Sequence, residues 1–118
     1  MIEIFEHNFE GFAAVFESGE WKVGLLGYSE RFAMLAEMER HLLTDEVFVL
    51  LDGSARLHTD SESVEMEMHK VYNVPAGVWH HITLSHDGKV LVLENRNTSR
   101  DNTEKRYFNL KENQNADK

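Results

Sequence analysis

Residues 46–59 decide the fold class; they read EVFVLLDGSARLHT. An apolar run ends at Asp52-Gly53, and beyond it Ala55 and Leu57 alternate with polar residues. Alternation at a period of two is typical of a strand with one buried face, and Asp-Gly between apolar runs strongly indicates a hairpin. We therefore predict two antiparallel strands joined by a turn at Asp52-Gly53.

Strand patterns continue on both sides of this stretch. A second Asp-Gly pair, at residues 87–88, precedes the apolar run at residues 90–93. Upstream, residues 13–16 and 21–26 are rich in aromatic and branched side chains and flank a Ser18-Gly19 turn. Short strands separated by turns every eight to twelve residues or so predict an all-β sandwich or barrel with antiparallel strands.

Two segments fall outside this strand pattern. Within residues 32–43, Phe32, Leu35 and Leu42 fall near helical spacing, and good helix formers surround them, so the local pattern favours a helix. Residues 111–118 are almost wholly polar, and we expect them to form a frayed C-terminal tail. A chain of 118 residues has the size of one domain, which we place at residues 1–110.

The composition excludes several classes of function. Twelve Lys and Arg against 21 Asp and Glu give a formal net charge of -9, which repels nucleic acid phosphates and anionic lipid headgroups. We expect neither nucleic acid nor membrane partners. There is no cysteine, so disulfides, thiolate metal sites and cysteine nucleophiles are excluded. The acidic amino terminus lacks the pattern of a secretory signal, and a cytoplasmic location is the default expectation.

Histidine and glutamate residues are the candidates for chemistry. If a strand begins near Asp45, Glu46 shares the buried face of Phe48, and a carboxylate then stands beside an apolar interior. His80 likewise shares a strand face with Ile82, so it is predicted to point inward. By the same alternation, two further histidines are expected to face outward; these are His58 and His81.

The spacing of these residues resembles the two signature motifs of the cupin superfamily. Residues 39–53 fit E-x-H-x4-E-x6-G, and residues 75–80 fit P-x-G-x2-H. The resemblance implies a small antiparallel jelly-roll barrel with a metal ion in its open end, and it turns residues 35–40 into a strand. It also implies a homodimer. Four positions depart from the family pattern; they are Ala33, Glu39, His69 and Leu84.

The resemblance implies that the metal ligands are His41, Glu46 and His80, with Glu39 at the position of the fourth. A carboxylate can replace an imidazole as a ligand, and two imidazoles with one or two carboxylates suit divalent iron, manganese, nickel or zinc.

Three functions remain open from the sequence. The first is a metal-dependent enzyme of the dioxygenase, isomerase or lyase type that acts on a small molecule in the barrel mouth, with no catalytic acid or base identified. The second is a binding module or sensor for a small molecule such as a sugar. The third is a barrel with a vestigial metal site, which the four departures keep in view. Fold does not decide among them.

Overall fold

The computed structural model describes residues 1–108, and the predicted C-terminal tail lies outside the described residues. The described chain is built from antiparallel strands with two single-turn 3-10 helices, at Glu30–Phe32 and Arg100–Asn102. The strands are β1 Phe12–Ser18, β2 Trp21–Gly27, β3 Glu37–His41, β4 Glu46–Asp52, β5 Ala55–Thr59, β6 Ser63–Glu65, β7 Tyr72–Val74, β8 His80–Leu84, β9 Lys89–Asn95 and β10 Thr103–Tyr107. Neither 3-10 helix in residues 1–108 has the length or apolar character needed to cross a bilayer.

The strands form two five-stranded sheets with the core between them. The first sheet has the order β1-β2-β9-β4-β7, and the second has the order β10-β3-β8-β5-β6. Both sheets contribute to one buried apolar cluster, in which Val90 and Val92 of β9 are the most deeply buried. Because β9 lies between β2 and β4, it receives neighbours on both edges. The prediction of an all-β antiparallel fold is confirmed.

The two Asp-Gly turns do not close hairpins, and this part of the prediction is wrong. The turn at Asp52-Gly53 leads from β4 in the first sheet to β5 in the second, and the one at residues 87–88 leads from β8 back to β9. The two turns touch, because a Cβ at Gly53 would lie 2.7 Å from the Asp87 backbone. Turn chemistry marks where the chain reverses, and it does not decide which strands pair. The hairpin predicted at Ser18-Gly19 does form, with Ser18 opposite Trp21.

The helix favoured by the local pattern within residues 32–43 is absent. The 3-10 helix ends at Phe32, and β3 begins at Glu37. Strand β3 pairs with β10 along its whole length, from Glu37 opposite Tyr107 to His41 opposite Thr103. This long-range pairing outweighs the local helix propensity, which is a weak preference. The strand that the cupin resemblance implied here is present.

Candidate metal centre

Four side chains with metal-binding atoms converge between the sheets, and we call them the Glu/His cluster. The cluster consists of Glu39 and His41 from β3, Glu46 from β4 and His80 from β8. Strand β4 belongs to the first sheet, and β3 and β8 belong to the second. Within the second sheet Glu39 lies directly opposite His80, and directly opposite residues point to the same face. The cluster therefore joins side chains from both layers.

Strand alternation explains why these polar side chains face inward. Glu46 follows the same buried face of β4 as Phe48 and Leu50. His80 begins β8 and is buried together with Ile82 two residues later. Both placements confirm the inward orientation predicted from the sequence.

The donor atoms of the Glu/His cluster lie close enough to share one ion. One ligand atom from each residue can be chosen so that all four lie within 4.8 Å of one another. The Nε2 atom of His80 lies 2.8 Å from Oε1 of Glu46, and Nε2 of His41 lies 3.3 Å from the same oxygen. The distance from His41 Nε2 to Oε1 of Glu39 is 3.6 Å. Glu46 is thus the centre of the group.

Hydrogen bonds behind the cluster orient the two imidazoles. His80 Nδ1 donates to the backbone carbonyl of Val78 at 2.9 Å. Since a carbonyl only accepts, Nδ1 carries the proton, and in the neutral ring the lone pair is on Nε2, which faces Glu46. His41 Nδ1 is 3.0 Å from the hydroxyl of Thr103, directly opposite it on β10. Both rings therefore present Nε2 to the cluster.

The residues present fit a divalent transition-metal ion. The Nε2 atom of His41 is buried and has no hydrogen-bond partner among the described residues. An unpaired polar atom in the interior costs about 1 to 3 kcal/mol, and a metal bond would remove that cost. The donors are two imidazole nitrogens and carboxylate oxygens, the set that iron, manganese, nickel and zinc accept.

Burial and charge act in opposite directions on the cluster. Burial favours the neutral form of Glu46, but its contacts with His41 and His80 outweigh burial and lower the pKa of its carboxyl. Burial also favours neutral His41 and His80, but the Glu46 carboxylate outweighs it and raises the pKa of each ring. The Glu46 carboxylate thus favours proton binding by both rings, and a metal ion bound at the cluster would compete with those protons.

A fifth acidic residue, Glu94, lies beside the cluster and is absent from the predicted site. Glu94 is 4% exposed and stands directly opposite Glu46, across β4 and β9. Its Oε2 lies 3.9 Å from His41 Nε2, and its Oε1 lies 3.3 Å from Lys22 Nζ. Burial, followed by the Glu46 charge, raises the pKa of the Glu94 carboxyl. The inward orientation of Glu94 could have been predicted from the sequence, because Glu94 shares a strand face with Val90 and Val92.

The cluster opens onto a cavity with a volume of about 710 Å³. This size lies within the range of pockets for small molecules. One part of the wall is apolar and includes Leu26, Phe32, Phe48 and Ile82. Another part carries charged and hydroxyl side chains from the chain between β9 and β10 and from β10 itself. The cavity thus presents apolar, cationic and metal-binding groups together.

The outward orientation expected for His58 and His81 is wrong. Both side chains are buried: His58 on β5 is 8% exposed, and His81 on β8, a strand that is buried on both faces here, is 3% exposed. His81 Nε2 donates to the carbonyl of Arg31, and its ring stacks on Phe32. The His58 ring bonds hydroxyl groups at both nitrogens and takes no part in the Glu/His cluster.

Glu94 gives the metal-free protein a predictable pH response. A carboxyl whose pKa is raised on folding stabilises the fold most below its unfolded pKa, near 4.5, and that contribution is lost as the pH rises through its folded pKa. Glu94→Gln mimics the neutral carboxyl. We expect its free energy of unfolding, relative to that of the wild type, to be about 2 kcal/mol higher at pH 8 than at pH 5. Urea unfolding of chelator-treated protein at both pH values measures this difference.

The matched control is Glu17→Gln, which alters an exposed carboxylate paired with Arg96 at 3.9 Å. Its stability relative to the wild type should stay constant within about 0.5 kcal/mol over the same range. If the stability difference between Glu94→Gln and the wild type is also independent of pH, Glu94 does not have the raised pKa described above.

Comparison with known proteins places the fold. No protein-family model and no curated protein matches the sequence. Among solved structures, a cupin-2 domain protein from Shewanella frigidimarina superposes with a TM-score of 0.62 at 19% identity, over 77% of this chain and 85% of that chain. A cupin superfamily protein from Desulfitobacterium hafniense gives a TM-score of 0.58 at 22% identity, over 78% and 81%.

A third similar structure is a variant of a Streptomyces nucleoside dehydratase, solved with uridine. It gives a TM-score of 0.66 at 12% identity and covers 92% of this chain and 89% of that chain. At these identities the similarity establishes the architecture alone. The chain has a small cupin-like fold, an antiparallel jelly-roll barrel, as the motif resemblance implied.

Proposed function

We propose that this protein uses the open end of its cupin barrel to hold one divalent metal ion, and that the ion and the adjoining cavity together take up a small molecule. The observation that carries the proposal is the buried Nε2 of His41. It has no hydrogen-bond partner among residues 1–108, yet it lies within 3.6 Å of carboxylate oxygens of both Glu39 and Glu46.

Three residues form the centre of the proposed site. His41 and His80 would bind through Nε2, because their Nδ1 atoms are held by Thr103 and Val78. Glu46 would bind through the oxygen that already contacts both rings. Their side chains are at most 9% exposed, so the ligands are held in the interior.

Glu39 is the proposed fourth ligand and differs from the other three. Its side chain is 20% exposed, and its Oε2 accepts a hydrogen bond from Arg31 at 3.1 Å. Its Oε1 faces His41 Nε2, so one oxygen of the carboxylate can bind a metal while the other keeps the Arg31 contact. Arg31 would thereby orient Glu39, as residues behind metal ligands commonly do.

The donor set suits iron, manganese, nickel or zinc and leaves coordination positions open. A divalent ion held there would supply Lewis-acid chemistry for a small molecule in the cavity. Apolar side chains such as Phe32 and Phe48 line the cavity beside the cluster and would exclude water from a bound ligand.

We further propose that the chain is a metal-dependent enzyme of the dioxygenase, isomerase or lyase type. Support comes from the coincidence of a buried donor set, open coordination positions and a cavity of small-molecule size. One structurally similar protein is a nucleoside dehydratase, which is compatible with chemistry on a small molecule in this fold. The cytoplasmic location and the homodimer stay predictions from the sequence.

Removing Glu39 tests its place in the metal site. We expect one equivalent of Mn²⁺ or Zn²⁺ to bind chelator-treated wild-type protein in calorimetric titration, and Glu39→Ala to bind roughly tenfold more weakly. The matched control is Glu37→Ala, which removes the other carboxylate that pairs with Arg31, at 2.8 Å, but lies outside the Glu/His cluster. Equal losses in both variants would assign the effect to Arg31 and remove Glu39 from the ligand set. No metal binding by the wild type would overturn the proposed function.

A further inference from the structure

We propose that the small molecule taken up by this cavity is an anion, and that Arg100 and Lys105 at its rim bind the carboxylate or phosphate group. This inference rests on the proposed function, since it names the class of molecule that the metal-bearing cavity would take.

Cationic side chains gather at this cavity although the chain is acidic. The formal net charge is -9, and the chain has only twelve Lys and Arg. Four of these twelve line the one cavity; they are Lys22, Arg31, Arg100 and Lys105. An acidic protein that concentrates its cations in a concave site creates a local field of the opposite sign there, which attracts anions.

Two of the four cations already have partners in the cavity wall. Lys22 pairs with Glu94 at 3.3 Å, and Arg31 pairs with Glu37 and Glu39 at 2.8 and 3.1 Å. These contacts fix the two cations and reduce their capacity to bind a further anion. Their role in the wall is to hold the buried carboxylates.

Arg100 and Lys105 form no ion pair with any residue in the described part of the chain. Elsewhere pairing is the rule, since five of the six described Lys and Arg outside the cavity have a carboxylate within 4.0 Å; these are Arg40, Arg56, Lys70, Arg96 and Arg106. The two cations without partners at the rim are therefore the ones available to an incoming anion.

The strand register places Lys105 next to the Glu/His cluster. Lys105 lies directly opposite Glu39 in the β10 and β3 pair, and Thr103 lies directly opposite His41. Directly opposite residues share a face of the sheet, so Lys105 projects to the side on which the cluster lies. Glu39 is directed to Arg31 and does not pair with Lys105. An anion held by Lys105 would therefore lie beside the metal ligands.

Arg100 and neighbouring hydroxyl groups complete this wall. Arg100 begins the 3-10 helix before β10, and it lines the cavity together with Thr98 and Ser99. A guanidinium offers two parallel N–H groups that match a carboxylate or a phosphate, and hydroxyl groups can donate to the same oxygens. The rim thus has the donors that an anionic headgroup requires.

Charge balance supports the same conclusion. With a divalent ion in the Glu/His cluster, the four cations and the ion supply six positive charges, whereas Glu37, Glu39, Glu46 and Glu94 supply at most four negative ones. The excess corresponds to Arg100 and Lys105. A singly or doubly charged anion would neutralise this excess, whereas a neutral ligand would leave Arg100 and Lys105, which are exposed, paired with solvent alone.

Three probes that share one ring test the inference on metal-loaded protein. Benzoate and phenyl phosphate carry the two anionic headgroups, and benzamide is the neutral counterpart of benzoate. In calorimetric or NMR titration we expect the anions to bind the wild type at least tenfold more tightly than benzamide does, and Arg100→Gln/Lys105→Gln to abolish this preference. The tighter of the two anions identifies the headgroup class.

The matched control is Arg56→Gln/Lys70→Gln, which removes the same net charge from two exposed ion pairs outside the cavity. It should retain the preference for anions. Equal binding of benzamide and benzoate by the wild type, or equal loss in both double variants, would overturn the inference. Metal content is measured in every sample, so absence of metal in the wild type counts against the proposed function, and a metal-loaded protein without anion preference counts against this inference alone.

Discussion

Replacing His80 with alanine is expected to lower the affinity for a divalent transition metal by at least about 100-fold, because it removes a donor that the structure orients toward Glu46. In the wild type the Val78 carbonyl accepts a hydrogen bond from Nδ1, so Nε2 is the ring nitrogen that is available to a metal ion. Metal titration of chelator-treated protein measures the loss, and circular dichroism establishes that the variant remains folded.

The control for His80→Ala is another buried histidine of the same sheet. His58 is 8% exposed on β5, which pairs with β8, and it lies outside the Glu/His cluster. His58→Ala should bind metal with wild-type affinity, although it loses stability because Ser63 and Thr83 lose a hydrogen-bond partner. Comparable losses of metal affinity in both variants would contradict the proposed ligand set.

Glu46→Ala is expected to have the largest effect on the metal-free fold. The Glu46 carboxylate is the shared partner of both imidazoles, at 2.8 and 3.3 Å, in the interior of the molecule. Without it, both rings lose their ion pair and burial favours their neutral form, so we expect the free energy of unfolding at pH 6 to fall by about 2 to 3 kcal/mol. Urea unfolding at pH 6 measures the change. Metal ions should stabilise the wild type, by about 2.7 kcal/mol at 100 times the dissociation constant, and should not stabilise the variant.

A surface carboxylate provides the comparison for Glu46→Ala. Glu65 pairs with Arg56 at 2.8 Å, and both side chains are at least half exposed. Glu65→Ala should change stability by no more than about 1 kcal/mol and should keep the response to metal. If both variants lose stability equally, the ion pairs of the cluster are not the source of the effect.

Strand alternation and motif spacing together predicted side chains that the structure brings together in the Glu/His cluster. The period of two put Glu46 on the face of Phe48 and His80 on the face of Ile82, and the structure buries both faces. Alternation is a local property of a strand, so it can be read without knowing the partner strand. The convergence of these residues depended on the motif resemblance, because no local pattern brings β4 and β8 together.

Strand pairing was the part that local sequence could not supply. Strand β4 pairs with β9, roughly 40 residues further along the chain, and not with β5 after the Asp52-Gly53 turn. A two-residue turn can close a hairpin or carry the chain between sheets, and the choice depends on contacts made by distant residues. The same reason accounts for β3, where pairing with β10 replaced the helix favoured by residues 32–43.

Burial on both faces explains the remaining errors. His81 was expected to be exposed because His80 faces inward, but β8 is covered on both sides there, and His81 bonds the Arg31 carbonyl. The second cover comes from chain around Phe32, which is distant in sequence. Glu94 is the opposite case, because strand alternation from Val90 and Val92 is enough to place its side chain on the buried face of β9.

The most direct test of the account is the metal content of untagged wild-type protein purified without chelator, measured by elemental analysis. The account predicts close to one equivalent of iron, manganese, nickel or zinc per chain, or uptake of one equivalent when the metal-free protein is incubated with these ions. Protein that contains none of these metals and takes none up on incubation would contradict the central claim that the Glu/His cluster is a metal site.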